Sequence, residues 1–209
     1  EDCRQQPDCR MSIFVKICGI RDANTAAAVV DAGADAIGFV FAKSVRRVTA
    51  AEAREAAAAV PAGVRRVAVM KQPSQEEWRE VLEEFEPDVL QTDVSDFAGL
   101  DVPAHVETWP VFREGADDTS ADMPGVFVYE GQASGAGETV DWNAAGQVGQ
   151  KGRMILAGGL SAENVAEAIR TSQPWGVDVS SGVESRPGQK DVNRIREFIS
   201  AVRAAEKEV

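Results

Sequence analysis

Lys16 and Cys18 stand two residues apart in the run Phe14-Val15-Lys16-Ile17-Cys18. On a β-strand that spacing sends both side chains to one face. An ammonium beside a thiol lowers its pKa and favours the thiolate, the form that acts as base or nucleophile. An inert buried cysteine beside a lysine with its stem along apolar surface produces the same pattern. Further on, Lys43-Ser44-Val45-Arg46-Arg47 sets three cations and a hydroxyl after another apolar run. That segment suits an anionic ligand, and equally a solvated basic loop. Two later runs end in small residues: Leu156-Ala157 passes into Gly158-Gly159, and Asp178-Val179 into Ser180-Ser181-Gly182. Backbone N–H groups in such turns, next to a helix N-terminus, bind phosphate. A lone Gly-Gly is a tight turn; two turns at related places carry more information.

These groups need elements to position them. Phe14–Cys18, Ala36–Phe41, Arg66–Met70, Val89–Gln91, His105–Val111, Val126–Tyr129, Met154–Ala157 and Trp175–Val179 read as eight short strands. Helices are predicted from caps and apolar spacing. Asp22 opens one to Ala32. Thr49 with Glu52, and Ser74 with Glu77, form capping boxes. Ser161 caps a helix to Thr171, with Asn164 in its third position. Asp191 caps a last helix whose Ile195, Phe198, Ile199 and Val202 share a face. The stretch Thr92–Val102 lacks helical period, helices around the sixth strand are poorly marked, and Glu130–Glu138 reads as a long Gly-rich loop.

Strands alternating with helices imply parallel βαβ units, and eight of them close an α/β barrel of the (β/α)8 type. At 209 residues the chain is shorter than the usual barrel of about 250, so some helices must shrink to turns. A doubly wound open sheet would need a glycine-rich loop after the first strand, and Cys18-Gly19-Ile20 does not match one. In a barrel of this type the chemistry lies at the C-terminal ends of the strands, where all the segments above fall.

Composition narrows the function further. A formal charge of −12 gives no overall attraction for nucleic acid or anionic lipid, although a small anionic substrate can still meet a locally positive site. No apolar stretch is long enough to span a membrane. The polar segment Glu1–Arg10 lacks the core of a signal peptide, and it is expected to be a disordered leader or expression remnant outside the barrel of residues 11–209. Cytoplasmic residence follows by default. With Cys3, Cys9 and Cys18 as the only cysteines and His105 as the only histidine, neither a disulfide framework nor a zinc site is expected.

The segments Lys16-Ile17-Cys18-Gly19-Ile20, Gly38-Phe39-Val40-Phe41 with Lys43-Ser44 and Arg46, Leu156-Ala157-Gly158-Gly159-Leu160 with Glu163-Asn164-Val165, and Val177-Asp178-Val179-Ser180-Ser181-Gly182-Val183-Glu184 occur in this order. Together with Pro187-Gly188-Gln189-Lys190-Asp191 they resemble the signature segments of phosphoribosylanthranilate isomerases, over Ser12 to about Val202. The resemblance implies an Amadori rearrangement in tryptophan biosynthesis, without metal or cofactor. An acid protonates the ribose ring oxygen, the ring opens to an iminium, and a base removes the C2 proton. The resemblance makes Cys18 the base and sets Arg46 against the anthranilate carboxylate. It gives the phosphate to Gly158, Gly159, Ser180 and Ser181, and places Asp178 at the ligand's polar centre. Lys16, Arg46 and Asp178 are accordingly assigned to substrate binding.

Two segments depart from the family. Its fourth strand usually ends Q-L-H-G, whereas Gln91-Thr92-Asp93-Val94 puts Asp93 at the histidine position. Its acid is an aspartate at the end of the sixth strand, where this chain has Val126-Phe127-Val128-Tyr129-Glu130. Glu130 is the nearest carboxyl group and is taken as the acid. A one-residue shift would bring Tyr129 there instead, a weaker proton donor with a reference pKa of about 10. An isomerase for a related phosphoribosyl-amine, or a catalytically weak barrel that binds a sugar phosphate, are the other readings. Oligomeric state is not fixed by the sequence.

Overall fold

The computed structural model describes residues 12–119, 123, 125–132 and 139–208. Eight parallel strands close a barrel in chain order: β1 (Phe14–Cys18), β2 (Ala36–Val40), β3 (Arg65–Val69), β4 (Val89–Asp93), β5 (Glu107–Arg113), β6 (Val126–Glu130), β7 (Arg153–Leu156) and β8 (Gly176–Val179). The seam is β1 against β8, with Lys16 opposite Asp178. The predicted (β/α)8 architecture is therefore what the chain forms. The expected leader, residues 1–10, lies outside the described residues.

The strands are apolar on both faces because both are covered. Residues of one parity, among them Val67, Val89, Trp109, Val128 and Ile155, fill the barrel interior. Those of the other parity, such as Ile17, Phe39, Leu90, Phe127 and Leu156, pack outward into a larger cluster with the helices. At the N-terminal end Phe14 stacks on Trp175 at 4.7 Å and meets Trp109 edge-on at 5.7 Å. Arg153 lies over the Trp175 ring. These rings close the bottom of the barrel and leave the opposite end for chemistry.

Among the described residues are six α-helices, five between strands and the last after β8: α1 (Ala23–Asp31), α2 (Ala50–Ala57), α3 (Gln75–Phe85), α4 (Trp142–Gly149), α5 (Val165–Ser172) and α6 (Val192–Ala205). The caps predicted for α1, α2, α3 and α6 form. Asp22 accepts from the Thr25 N–H at 2.8 Å, and both capping boxes are complete. Asp191 accepts from the N–H groups of Asn193 and Arg194. The shrinkage that the short chain demanded falls between β4 and β5, where a 3-10 segment, Val94–Gly99, replaces a helix. The described residues 114–119 after β5 form turns.

Three sequence expectations shift. The fifth strand begins at Glu107, not His105, because the Val106 N–H closes a turn on the Pro103 carbonyl and the ladder starts with Glu107 N–H to Asp88 O. It runs on to Arg113. Helix α4 is not marked in the sequence: it buries only Ala145 and Val148, with Trp142 half-buried beside them, too sparse to show a period, though Asp141 caps it by accepting from Asn143 and Ala144. Helix α5 starts at Val165 with Asn164, not Ser161, at its N-cap, since the residues between them form a turn.

Trp109 is nearly fully buried inside the barrel. Trp109→Ala is expected to cost ~3–5 kcal/mol of unfolding free energy. Urea unfolding measures this, and a loss below ~1 kcal/mol would mean the interior collapses freely around the gap.

Candidate active site

At the seam, Lys16 is completely buried and donates to Asp178 Oδ2 at 2.7 Å. Cys18 shares its inward parity one step nearer the mouth. Gly38 is its register partner on β2, and a Cβ there would come within 2.9 Å of Cys18 Sγ and 3.2 Å of Lys16 Cε. The missing side chain at position 38 is therefore the space in which the thiol and ammonium sit.

The electrostatics correct one expectation. Burial opposes the charge on Lys16, but the Asp178 carboxylate and the Cys18 sulfur outweigh it and hold the ammonium pKa above its ordinary value. For Cys18, burial is the largest influence and raises the pKa; Lys16 lowers it and Asp178 raises it again. The net direction is upward. The ammonium was expected to favour the thiolate, and it does act in that direction, but burial, with Asp178 acting the same way, outweighs it.

A second cluster joins the β2 and β8 loops. Arg46 binds Glu184 through two parallel bonds, Nε to Oε1 at 2.7 Å and Nη2 to Oε2 at 2.8 Å. Glu184 begins a small hairpin, β9 (Glu184–Arg186) and β10 (Gln189–Lys190). From β10 the buried Lys190 ammonium donates to Glu184 Oε1 at 2.8 Å, to the Ser180 carbonyl at 2.9 Å and to Ser180 Oγ at 3.1 Å. Ser180 Oγ in turn donates to the Cys18 carbonyl at 3.1 Å. Desolvation works against the Glu184 charge, but Arg46, Lys190 and the Gly188 N–H hold its pKa down to about 2. Burial pulls the Lys190 pKa down, and Glu184 offsets only part of that. The Ser180 hydroxyl is thus engaged within the protein.

The two small-residue turns lie side by side. Gly158 and Gly159 both have positive φ, 95° and 60°, a sequence of conformations that other residues rarely adopt. A Cβ on Gly182 would run into the Leu160 carbonyl oxygen, so the β7 and β8 loops touch through bare backbone. Asn164 steadies the first loop: Oδ1 accepts from the Ser161 N–H at 2.8 Å and Nδ2 donates to the Gly159 carbonyl at 2.9 Å.

On the far wall, Glu130 ends β6 with inward parity, while Tyr129 packs outward among the helices. Glu130 Oε2 accepts from Arg113 Nη1 at 3.0 Å. Arg113 also donates Nε and Nη2 to Asp93 Oδ1, at 2.9 and 2.5 Å. Asp93, at the position usually occupied by histidine in the family, is therefore one acceptor of an Arg113 fork. Glu130 and the Gly131 carbonyl, at 3.2 Å from Nη1, accept from it as well.

A cavity of about 360 Å³ opens at the C-terminal end of the barrel. Every site residue predicted from sequence except Lys16 lines it; Lys16 lies beneath, reaching it only through Asp178 and Cys18. The cavity also takes in Arg113, Gln91, Lys43 and Lys71.

The family model described as N-(5′-phosphoribosyl)anthranilate (PRA) isomerase matches residues 15–201. The chain belongs to the phosphoribosylanthranilate isomerase family. A relative of that name from Listeria monocytogenes is 38% identical over 206 residues, covering 93% of this chain and 100% of its own. The phosphoribosyl anthranilate isomerase of Thermus thermophilus superposes with a TM-score of 0.78 at 28% identity, over 92% of this chain and 99% of its own. Another solved structure of the family, at TM-score 0.73, 27% identity and coverage of 92% and 99%, is a complex with reduced 1-(o-carboxyphenylamino)-1-deoxyribulose 5-phosphate.

Within this family member, sequence reasoning did not assign Arg113, Glu184 or Lys190. Arg113 sits two residues beyond the predicted end of its strand. Glu184 and Lys190 were visible only as parts of a matching motif, because their roles depend on a hairpin folding back. The Glu184 cluster has a pH signature. Its folded pKa of about 2 lies below the ordinary 4.5, so its contribution to stability is complete above pH 4.5 and is lost as pH falls toward 2. The stability difference between wild type and Glu184→Gln, from urea unfolding, should shrink over that interval. A difference independent of pH would mean the carboxylate is not held as described.

Proposed function

We infer that the chain isomerises N-(5′-phosphoribosyl)anthranilate to the 1-deoxyribulose 5-phosphate product by general acid–base catalysis. The observation that carries this reading is the meeting, in one cavity, of a thiol on β1, a carboxyl on β6 and paired small-residue loops after β7 and β8. The family's name supports the substrate, and the ligand in a relative's complex has the matching parts: an o-carboxyphenyl group, a sugar chain and a phosphate.

Backbone N–H groups of Gly158, Gly159, Ser180 and Ser181 hold the phosphate. Arg46, fixed at two of its nitrogens by Glu184, turns its remaining edge to the anthranilate carboxylate. Glu130 protonates the ring oxygen, and the C1–O bond breaks to give the iminium. Cys18 as thiolate removes the C2 proton, and the enolamine relaxes to the ketone as C1 takes up a proton. Lys16 and Asp178 stay paired beneath the reacting carbons, so Asp178 offers its second oxygen to the ligand without leaving a bare charge. Asp93 takes two of the Arg113 bonds and so limits the hold of that guanidinium on Glu130. The place of the reaction is tryptophan biosynthesis. A cytoplasmic setting is the reading that suits this pathway and a chain whose described helices include none long and apolar enough to cross a membrane.

Cys18→Ala should lower turnover, followed as loss of the substrate's anthranilate fluorescence, by ~10²-fold or more with the fold intact by circular dichroism. Turnover at the wild-type rate would remove Cys18 from the mechanism. Glu130→Gln should also lose ~10²-fold, and a wild-type rate there would move the acid elsewhere. The raised Cys18 pKa sets the pH profile. Since kcat/KM reports the free enzyme, in which the base must be deprotonated and the acid protonated, the residual kcat/KM of Glu130→Gln, which has no acid to titrate, should keep rising beyond pH 9.0, the ordinary thiol value. A plateau reached near neutrality would contradict this.

A further inference from the structure

Gln91 stands on β4 with its side chain on the cavity wall and is only 5% exposed. Its Oε1 has no hydrogen-bond partner among the described residues. The register partners on either side are Val69 of β3 and Trp109 of β5. Valine has no side-chain donor, and the Trp109 indole N–H is turned to Glu107 at 3.3 Å. An amide oxygen left in this state destabilises the unliganded protein, and buried polar atoms are nearly always paired. One other residue that lines the cavity carries such an atom: Asp178 Oδ1, whose partner oxygen is held by Lys16. β4 and β8 are four strands apart in a closed barrel of eight, so Gln91 and Asp178 belong to opposite walls of the cavity.

Two buried acceptors on opposite walls call for a ligand that carries donors. A phosphate dianion and a carboxylate have none. The anilino N–H of an anthranilate is occupied by its own ortho carboxylate. The hydroxyl groups of the ribosyl part are the donors that remain, and they lie between the phosphate end and the anthranilate end. We propose that Gln91 is a substrate-binding residue that accepts a hydrogen bond from a ribosyl hydroxyl and fixes the sugar chain against the wall opposite Asp178. This rests on the isomerase reading above.

The test uses Gln91→Leu, which keeps the volume and removes the acceptor. The expected kcat/KM falls by ~10-fold or more, the effect of one lost hydrogen bond to substrate. Affinity for ribose 5-phosphate, by titration calorimetry, falls in parallel. Affinity for inorganic phosphate, which has no hydroxyl to offer Gln91, stays at the wild-type value. The melting temperature is unchanged or higher, because the substitution removes an unpaired buried polar group. That combination separates a ligand contact from a structural role, which would lower the melting temperature and phosphate affinity together. The proposal is overturned if kcat/KM and ribose 5-phosphate affinity both stay within ~2-fold of wild type, or if the variant loses stability and phosphate binding along with them. If the wild-type chain itself does not turn over the anthranilate compound, the isomerase reading falls. Gln91 is then still decided by ribose 5-phosphate against inorganic phosphate.

Discussion

A fully buried lysine inside a barrel is the constraint around which this site is arranged. Lys16 cannot stay charged there without a partner, and Asp178 supplies one across the β1–β8 seam at 2.7 Å. Removing one member of such a pair strands the other charge and typically costs ~3–5 kcal/mol, so the two residues are retained or lost together. The pair sits on the strands that close the barrel and directly beside Cys18. The reactive end of the molecule and its closure therefore depend on the same interaction.

The same economy of charge recurs around the cavity. The buried and half-buried cations are matched: Lys16 by Asp178, Arg46 and Lys190 by Glu184, Arg113 by Asp93 and Glu130. The exposed Lys43 and Lys71 also line the cavity and add positive charge at its wall. The consequence for Cys18 is chemical. With Lys16 paired to Asp178, burial dominates and the thiol is a weak acid, so the thiolate, once formed, is a strong base.

Much of this was legible from sequence. Short apolar runs bounded by glycine and capped helices gave the eight βαβ units, because strand and helix periods and cap chemistry are local. The phosphate-type turns and the Lys16–Cys18 spacing were also local. Helix α4 escaped because its apolar face is too small to show a period. Arg113 was hidden by two residues of strand extension. The choice between Glu130 and Tyr129 depended on parity, which no residue within the strand reveals by itself.

The sequence by itself determined the barrel, the family to which the chain belongs, and the residues that gather at the C-terminal mouth. All of these follow from local pattern and motif. Only the tertiary structure decided how the charges at that mouth are shared. It turned Glu130 inward and Tyr129 outward, gave Arg113 to Asp93 and Glu130, and left Gln91 without a partner. It also reversed the expected direction of the Cys18 pKa. The physical reason is that burial and pairing are properties of distance in space, and residues 162 positions apart, such as Lys16 and Asp178, acquire a distance only when the barrel closes.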